Sequence, residues 1–344
     1  MQALRNQWYC AALSVEIGPA PLARIFLNEP VVMYRKIDGT PVALEDRCCH
    51  RRAPLSRGTI EGDNLRCGYH GLLYNPAGQA IWAPGQDKLP AGARVRSYPL
   101  CEKHGWTWIW MGDPALADPE TAPAFHWYDA PGWASFGTCL PVAANYMLLV
   151  DNLLDLSHLA FLHVNSIGTS DDTNPDLNWE RGTNFVRGVR IARDIAPSPR
   201  QIATGDTIRT DVTKIMTFTP PANVVIEITT LEAGKRANDP TNRLNRQIVV
   251  LDSMTPETET TCHYFWASCR NFRVEDADFS AQGFNATVAA FNEDKFMLEA
   301  EQRIIDLNRA APQIDLVGDA GGLQARRMVD RLIATERGER QAAE

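Results

Sequence analysis

Two short stretches of the chain decide its first fold unit: Asp46-Arg47-Cys48-Cys49-His50-Arg51 and Cys67-Gly68-Tyr69-His70-Gly71. Each contains a cysteine and a histidine, two positions apart in the first and three in the second, and sixteen residues separate the pairs. Each pair is predicted to lie in a loop between strands. Two thiolates and two imidazoles, Cys48, Cys67, His50 and His70, can hold a [2Fe–2S] cluster, with the cysteines on one iron and the histidines on the other.

The same four side chains are also a possible ligand set for a structural zinc ion, and this alternative stays open on spacing alone. Zinc sites more often use C-x-x-C pairs, so the mixed C-x-H and C-x-x-H order favours the iron–sulfur cluster. We interpret Cys49 as a bystander, because the cluster has no place for a fifth ligand. Replacing two thiolates by neutral imidazoles raises the potential of the cluster and lets it accept electrons from a reductase.

A second group of metal-ligand side chains lies in the stretch Asn152-Leu153-Leu154-Asp155-Leu156-Ser157-His158-Leu159-Ala160-Phe161-Leu162-His163. Its two histidines are five positions apart, which places them about 140° apart on a regular helix. They can face one ion only if the buried helix predicted over 145–164 bulges or ends there. A mononuclear Fe(II) site needs two histidines and one carboxylate on one face, with positions left open for O2.

Asp155 is the nearest carboxylate, but Asp294 is the better third ligand. The stretch 280–308 is predicted to be an amphipathic helix. Its apolar side includes Phe284, Val288, Phe291 and Leu298. Asp294 falls on that side, where an unpaired carboxylate is costly and a cation would remove the cost. Two ordinary interpretations stay open: the buried histidines are merely hydrogen-bonded, or Asp294 pairs with Lys295 or Arg303.

The chain changes character along its length and predicts two domains of an α+β protein. Residues 20–112 read as short strands separated by turn formers, whereas 113–131 is a connector rich in Pro, Ala and Asp. We therefore predict an all-β domain at 1–115 and an α+β domain at 116–344, with an antiparallel sheet and long helices. Strand-like runs at 224–230, 247–252 and 261–267 belong to that sheet, and a last helix is predicted at 322–335.

The bulk properties narrow the function classes. A chain of 344 residues allows two domains with real cores, and its net charge of −8 argues against nucleic acid and anionic membranes as partners. No window approaches the roughly 18–20 apolar residues of a membrane helix, and the first residues show no secretory hydrophobic region. A cytoplasmic location is therefore expected, where clustered cysteines and histidines among the eight cysteines indicate metal binding rather than disulfides.

The stretches 46–55 and 67–72 resemble the cluster motif of Rieske non-haem iron oxygenases, and 152–163 resembles the iron motif of the same family, Asn-x-x-Asp-x-x-His-x4-His. The resemblance covers nearly the whole chain. It implies an N-terminal Rieske domain followed by a catalytic domain, and it carries His158, His163 and Asp294 over as the ligands of a mononuclear iron.

The resemblance gives Asp155 a different role. In the family, the acid at this position hydrogen-bonds a cluster histidine of the neighbouring subunit, here His70, and completes the electron path. Asn152 is expected near the iron. The resemblance also implies a head-to-tail homotrimer without a small β subunit, and a separate flavin/iron–sulfur reductase that delivers electrons from NAD(P)H.

Within the family, the chain is most similar to single-subunit-type oxygenases, which include O-demethylases. Ile226, Asp252 and Asn285 fall where a member of that branch contacts its substrate. Asp252 can accept a hydrogen bond from a phenolic OH, or it can simply end a strand. We predict a monooxygenase that uses O2 to O-demethylate or hydroxylate a small carboxylated or methoxylated aromatic compound. The alternatives are a dioxygenase that makes cis-diols, a non-catalytic Rieske electron carrier and a zinc-stabilised binding protein.

Overall fold

The computed structural model describes residues 2–164, 166–167, 176–197, 202, 205 and 207–338. The chain divides into two compact units, Met1–Ala124 with Thr255–Glu259, and Phe125–Met254 with Thr260–Glu344. Among the described residues the first unit holds strands and short 3-10 helices, whereas the second combines a sheet with long helices. The predicted α+β class is therefore confirmed. The domain ranges 1–115 and 116–344 stay predictions.

Three antiparallel sheets build the first unit, with the strand orders β1-β11-β10, β2-β3-β4-β9 and β5-β6-β7-β8. The strands are β1 (Trp8–Leu13), β2 (Leu22–Phe26), β3 (Glu29–Arg35), β4 (Pro41–Glu45), β5 (Thr59–Glu61), β6 (Asn64–Arg66), β7 (Leu73–Tyr74), β8 (Ala80–Trp82), β9 (Ser97–Tyr98), β10 (Leu100–Lys103) and β11 (Trp106–Trp110). The short strands and frequent turns of 20–112 thus match the sequence pattern.

Cys48 and Cys67 belong to a hydrophobic core of this unit. They pack in one cluster with Tyr34, Leu55 and Tyr74, all of which are buried. Burial in such a cluster removes the two sulfur atoms from bulk water, as expected of ligands that are part of the fold.

A seven-stranded antiparallel sheet with the order β12-β18-β17-β16-β15-β14-β13 forms the second unit. Its strands are β12 (Ala134–Val142), β13 (Asp176–Arg181), β14 (Val186–Ile195), β15 (Thr210–Thr219), β16 (Asn223–Glu232), β17 (Arg246–Pro256) and β18 (Cys262–Arg270). The three predicted runs fall on β16, β17 and β18. The sequence carries no clear strand signal for β12, because Gly137 and Pro141 interrupt it. Its place at the edge of the sheet tolerates the proline.

Three α-helices accompany the sheet within the described residues: α1 (Tyr146–Leu154), α2 (Ala277–Leu307) and α3 (Ala320–Glu336). Asn145 caps α1 by accepting the Met147 N–H at 2.9 Å. The helix predicted over 145–164 ends early: Asp155 is extended, and a 3-10 helix, Leu156–Ala160, follows. None of the helices in the described ranges has the length and apolar character needed to cross a membrane.

Candidate metal centres and substrate cavity

The two Cys/His loops of the first unit share one backbone geometry. In each loop the cysteine N–H donates to the carbonyl five residues later: Cys48 to Ala53 at 2.9 Å, and Cys67 to Leu72 at 2.8 Å. These hydrogen bonds close the two loops with the same backbone geometry. The sequence folds into this shape because both loops connect short strands and cannot form a helix over so few residues.

Arg52 and Gly71, each four residues after its cysteine, close the two turns. Each donates its N–H back to the cysteine carbonyl, and their φ angles are 59° and 74°. This left-handed conformation suits glycine and is less common for arginine. The ring centroids of His50 and His70 lie 4.7 Å apart, and both residues are exposed. Two exposed imidazoles thus stand side by side, while the two cysteines are buried.

This arrangement fits a [2Fe–2S] cluster. Burial raises the pKa of the Cys67 thiol, whereas the N–H groups of Tyr69 and His70, which hydrogen-bond its sulfur, favour the thiolate. Iron binds the thiolate, so ligation would remove the proton. Within the described residues, no three of the four ligand atoms lie within 4.8 Å of one another. A single tetrahedral zinc ion would require such convergence, whereas a cluster separates the thiolates from the imidazoles.

Three ligand atoms converge in the second unit. His158, His163 and Asp294 each offer one atom, and the three atoms lie within 4.8 Å of one another. Asp294 Oδ1 is 3.0 Å from His163 Nε2 and 3.4 Å from His158 Nε2. The end of α1 before Asp155 allows both histidines to face Asp294, although they are five positions apart. The donor set is the two-histidine, one-carboxylate combination of non-haem Fe(II) oxygenases.

Hydrogen bonds at Nδ1 fix the tautomer of both histidines. His158 Nδ1 donates to the Asp155 carbonyl at 2.7 Å, and His163 Nδ1 donates to Glu293 Oε2 at 2.5 Å. With the proton on Nδ1, each Nε2 presents a lone pair to a metal. Ser166 Oγ also donates to Glu293 Oε2, at 3.0 Å. Sequence reasoning missed Glu293, because its partner His163 lies 130 positions away in the chain and no local pattern links the two.

The charges around this point suit a cation. Burial lowers the pKa of His158, although the charge of Asp294 opposes it. Burial also acts to lower the pKa of His163, but hydrogen bonds and charges from Asp294 and Glu293 outweigh it, so this pKa is raised. Lys295 was one predicted alternative partner of Asp294. Its Nζ lies 3.8 Å from Oε1 of Glu299 instead. A metal ion between Asp294 and His163 Nε2 would take the place of the proton that the charge of Asp294 favours on that nitrogen.

Asn152 and Asp155 lie beside the three ligands in different ways. Asn152 Nδ2 donates to Asp294 Oδ1 at 3.2 Å. The Asp155 carboxylate accepts the Ser157 N–H at 2.9 Å and the Ser157 hydroxyl at 3.1 Å. Gly318 approaches this carboxylate so closely that a Cβ there would lie 2.6 Å from Oδ2. Asp155 is therefore oriented but does not join the three converging ligand atoms, and the functional roles of both residues stay predictions.

A cavity of about 310 Å³ includes the three ligand residues in its wall. This volume lies in the range of small-molecule sites. Its apolar lining includes Phe136, Leu156, Leu159, Ile226, Ile248, Val250, Phe272, Phe279 and Phe291. The site thus combines a metal-binding end with walls that suit an apolar or aromatic compound.

The three predicted substrate residues are placed differently. Ile226 lines the cavity, whereas Asp252 and Asn285 are not among its lining residues. Asn285 is exposed on α2. Asp252 is fully buried, accepts the Tyr264 hydroxyl at 2.7 Å, and has a pKa that burial raises to about 8. The substrate roles of all three residues stay predictions.

Comparison with known proteins shows which families the two parts of the chain match. The vanillate O-demethylase oxygenase C-terminal domain matches residues 142–335, and the Rieske [2Fe-2S] domain matches residues 7–99. The chain is 38% identical over 344 residues to the toluene-4-sulfonate monooxygenase system iron-sulfur subunit of Comamonas testosteroni, covering 97% of this chain and 98% of the relative. It is 38% identical over 316 residues to the vanillate O-demethylase oxygenase subunit of Pseudomonas sp. (strain ATCC 19151), covering 90% and 96%.

Among solved structures, dicamba monooxygenase bound to 3,6-dichlorosalicylic acid matches with a TM-score of 0.91 at 31% identity, covering 98% of this chain and 100% of that chain. The fold and the two centres thus define an iron–sulfur, non-haem iron oxidoreductase. The chain belongs to the Rieske non-haem iron oxygenases with a vanillate O-demethylase-type C-terminal domain. It is the oxygenase component of a multicomponent monooxygenase, with a [2Fe–2S] cluster, a mononuclear iron, and electrons from NAD(P)H through a reductase.

Proposed function

We propose that this oxygenase demethylates a small aromatic methyl ether. An aryl methyl ether, O2, two electrons and two protons give a phenol, formaldehyde and water. One oxygen atom enters a methyl C–H bond, and the resulting hemiacetal loses formaldehyde. The other oxygen atom leaves as water, and NAD(P)H supplies the electrons through the reductase.

The observation that carries this proposal is the cavity that adjoins His158, His163 and Asp294. Its walls are mainly apolar and include several aromatic rings, against which a planar ring packs well. Two of the relatives are O-demethylases by name, one for vanillate and one for dicamba. A methyl ether is a small apolar group that fits next to the three ligands without an added charge.

When bound, the iron supplies the activation of O2. The side chains of this chain hold and orient the site. The Asp155 carbonyl and Glu293 hold the Nδ1 protons of the two histidines, and Asn152 donates to Asp294. The apolar walls exclude water from the position of the reacting methyl group.

The electron path is part of the same proposal. Asp155, oriented by Ser157, accepts a hydrogen bond from His70 of the partner subunit in a head-to-tail homotrimer. This contact would connect the residues that hold the cluster in one subunit with His158, His163 and Asp294, which would hold the iron, in the next. The separate flavin/iron–sulfur reductase would deliver electrons one at a time to the cluster held by Cys48, Cys67, His50 and His70. The cytoplasmic location expected from the sequence belongs to this proposal as well.

The test is a panel of methoxylated and carboxylated arenes, with the holoenzyme, a surrogate reductase, NADH and O2 labelled with oxygen-18. Demethylation gives formaldehyde and phenol in equal amounts, and the phenol oxygen carries no label. A ring hydroxylase or a dioxygenase would instead place one or two labelled atoms in the aromatic product. If the enzyme turns over methyl ethers but none of them yields formaldehyde, the proposal is wrong.

A matched variant separates the two centres. His158→Ala should abolish product formation and leave the visible spectrum of the Rieske cluster intact, because the two sets of ligands lie in different units. Loss of that spectrum, or turnover that persists unchanged, would contradict the assignment of His158 to the mononuclear iron.

A further inference from the structure

The cavity is much longer than one aromatic ring. Its α2 wall includes Phe279, Gly283, Thr287, Ala290 and Asp294, which lie along one face of the helix. The first and last of these are fifteen residues apart, about 22 Å along the axis at 1.5 Å per residue. A single ring with para substituents spans only about 8 Å at bond lengths of ~1.5 Å. A one-ring substrate next to Asp294 would therefore leave most of this length unfilled.

The end of the cavity farthest from Asp294 is basic. Arg270 lines it, and the guanidinium is placed by the start of α2: Nη2 donates to Ser280 Oγ at 2.8 Å, and Cζ lies 5.1 Å from the Phe279 ring centroid. Arg246 also lines the cavity and lies over Phe272, 5.3 Å from the centroid, and the Phe272 ring contacts Phe279. Two cations thus adjoin the same aromatic pair.

Arg270 has unused hydrogen-bonding capacity. It is only 4% exposed, and in the described part of the chain its Nε and Nη1 have no hydrogen-bond partner. Its Nη2 is occupied by the carbonyls of Arg273 and Asp276 and by Ser280. The Asp276 carboxylate pairs with Arg273 instead, at 2.6 Å. Buried donors without partners are costly, and a bound anion would remove the cost.

We propose that Arg270, with Arg246 beside it, is a specificity-determining residue that binds a carboxylate or sulfonate at the far end of an elongated aromatic substrate. The inference rests on the proposed function, which places the reacting methoxy group at the Asp294 end. Ser280 and Asp294 are fourteen residues apart, about 21 Å along α2. Allowing about 3 Å for a hydrogen bond and a few ångströms at the iron, the anion and the methyl carbon are roughly 12–15 Å apart. Two linked rings span that distance, and one ring does not.

Calorimetry on the anaerobic wild-type holoenzyme tests the proposal with three named probes. They are 4′-methoxybiphenyl-4-carboxylate, its neutral carboxamide, and the one-ring acid 4-methoxybenzoate. The long acid should bind about 10- to 100-fold more tightly than the amide, because a charged acceptor is lost in the amide. It should also bind at least tenfold more tightly than the one-ring acid, which cannot reach both ends.

Two variants assign the effect to Arg270. Arg270→Gln should remove the preference for the acid over the amide, and Arg270→Lys should keep part of it, since the charge stays but the planar fork is lost. Arg243→Gln is the matched control: it removes an exposed cation that pairs with Glu232 and does not line the cavity, and it should leave the preference unchanged.

The outcomes separate this inference from the proposed function. If the wild-type protein binds the amide or the one-ring acid as tightly as the long acid, the inference is wrong, whatever the variants do. Formaldehyde from a one-ring ether would in that case still support demethylation. If the long acid binds with the expected preference but no methyl ether yields formaldehyde, the anion site stands and demethylation is wrong.

Discussion

Nδ1 of His163 lies 2.5 Å from Oε2 of Glu293, while Nε2 of the same ring lies 3.0 Å from Oδ1 of Asp294. Two adjacent residues of α2 therefore hold one imidazole by its two nitrogens. Glu293 keeps the proton on Nδ1, and Asp294 shares the metal position with Nε2. A single helix thus supplies both a ligand and the support of another ligand.

Removing the Glu293 carboxylate should weaken iron binding. Glu293→Ala leaves the Nδ1 proton of His163 without its acceptor, and loss of such a support typically costs 10- to 100-fold in metal affinity. Glu293→Gln keeps an acceptor oxygen and should lose less. Competition with a chelator measures the affinity for the mononuclear iron, and the Rieske spectrum should stay unchanged.

Asn292→Ala is the control for that measurement. Asn292 is the preceding residue of α2, it is exposed, and its side chain donates only to the Val288 carbonyl in the described structure. Its loss should leave the iron affinity at the wild-type value. Equal affinities for wild type and Glu293→Ala would show that Glu293 does not support the site.

The contact between Gly318 and Asp155 gives a test of the proposed electron path. A Cβ in Gly318→Ala would lie 2.6 Å from Asp155 Oδ2, so the carboxylate must move away from its position on Ser157. A displacement of this size should slow reoxidation of the reduced cluster in a single turnover, on the order of tenfold to 100-fold, with both metals retained. Asp155→Asn should give the same result.

Gly92→Ala is the control, because a Cβ at Gly92 would meet nothing within 4 Å. It should leave the rate of cluster reoxidation unchanged. A wild-type rate in both Gly318→Ala and Asp155→Asn would exclude Asp155 from the path.

The metal ligands could be predicted because ligand chemistry is carried by residue type and short spacing, as in the Cys/His pairs and His158 with His163. Contacts between residues that are far apart in the sequence could not be predicted in this way. Glu293 gains its role from a histidine that follows α1, and the unpaired nitrogens of Arg270 depend on the packing of β18 against α2. The end of α1 was also ambiguous, because no glycine or proline marks it. Asp155 ends that helix and caps the 3-10 helix that follows.

Tyr74 should raise the reduction potential of the cluster. Its hydroxyl accepts the Cys49 N–H at 3.1 Å and lies 3.1 Å from the sulfurs of both Cys48 and Cys49. With Cys48 bound to iron as a thiolate, the hydroxyl proton is directed to that sulfur, which stabilises the reduced cluster. Tyr74→Phe should therefore lower the midpoint potential by tens of millivolts, as ~59 mV corresponds to a tenfold change for one electron.

Tyr34→Phe is the matched control for the spectroelectrochemical titration. Tyr34 lies in the same hydrophobic core, but its hydroxyl donates to the Asp63 carbonyl and not to a sulfur. Its variant should keep the wild-type potential. A potential that stays the same in Tyr74→Phe would show that the hydroxyl proton is not directed to Cys48.

Asp252 should make stability depend on pH between about 4 and about 8. Burial raises its pKa to about 8 in the folded protein, against about 3.9 in an unfolded chain. Between these values the folded protein holds a proton that the unfolded chain has released, so stability falls as pH rises, by up to about 1.4 kcal/mol per pH unit. Asp252→Asn has no such proton and still accepts the Tyr264 hydroxyl. Its melting temperature should rise relative to wild type from pH 6 to 8, and the difference should level off above that.

Asp239→Asn is the control, since Asp239 is only partly buried and its pKa is lowered by hydrogen bonds from Thr241. The Asp239 carboxyl has lost its proton well below pH 6. The melting temperature of Asp239→Asn should therefore differ from that of the wild type by a constant amount from pH 6 to 8. A parallel curve for Asp252→Asn would show that Asp252 is already charged at pH 6. The expected divergence would instead mean that Asp252 is a neutral acid at pH 7, bonded to Tyr264, and therefore a weaker acceptor for a substrate hydroxyl than a carboxylate would be.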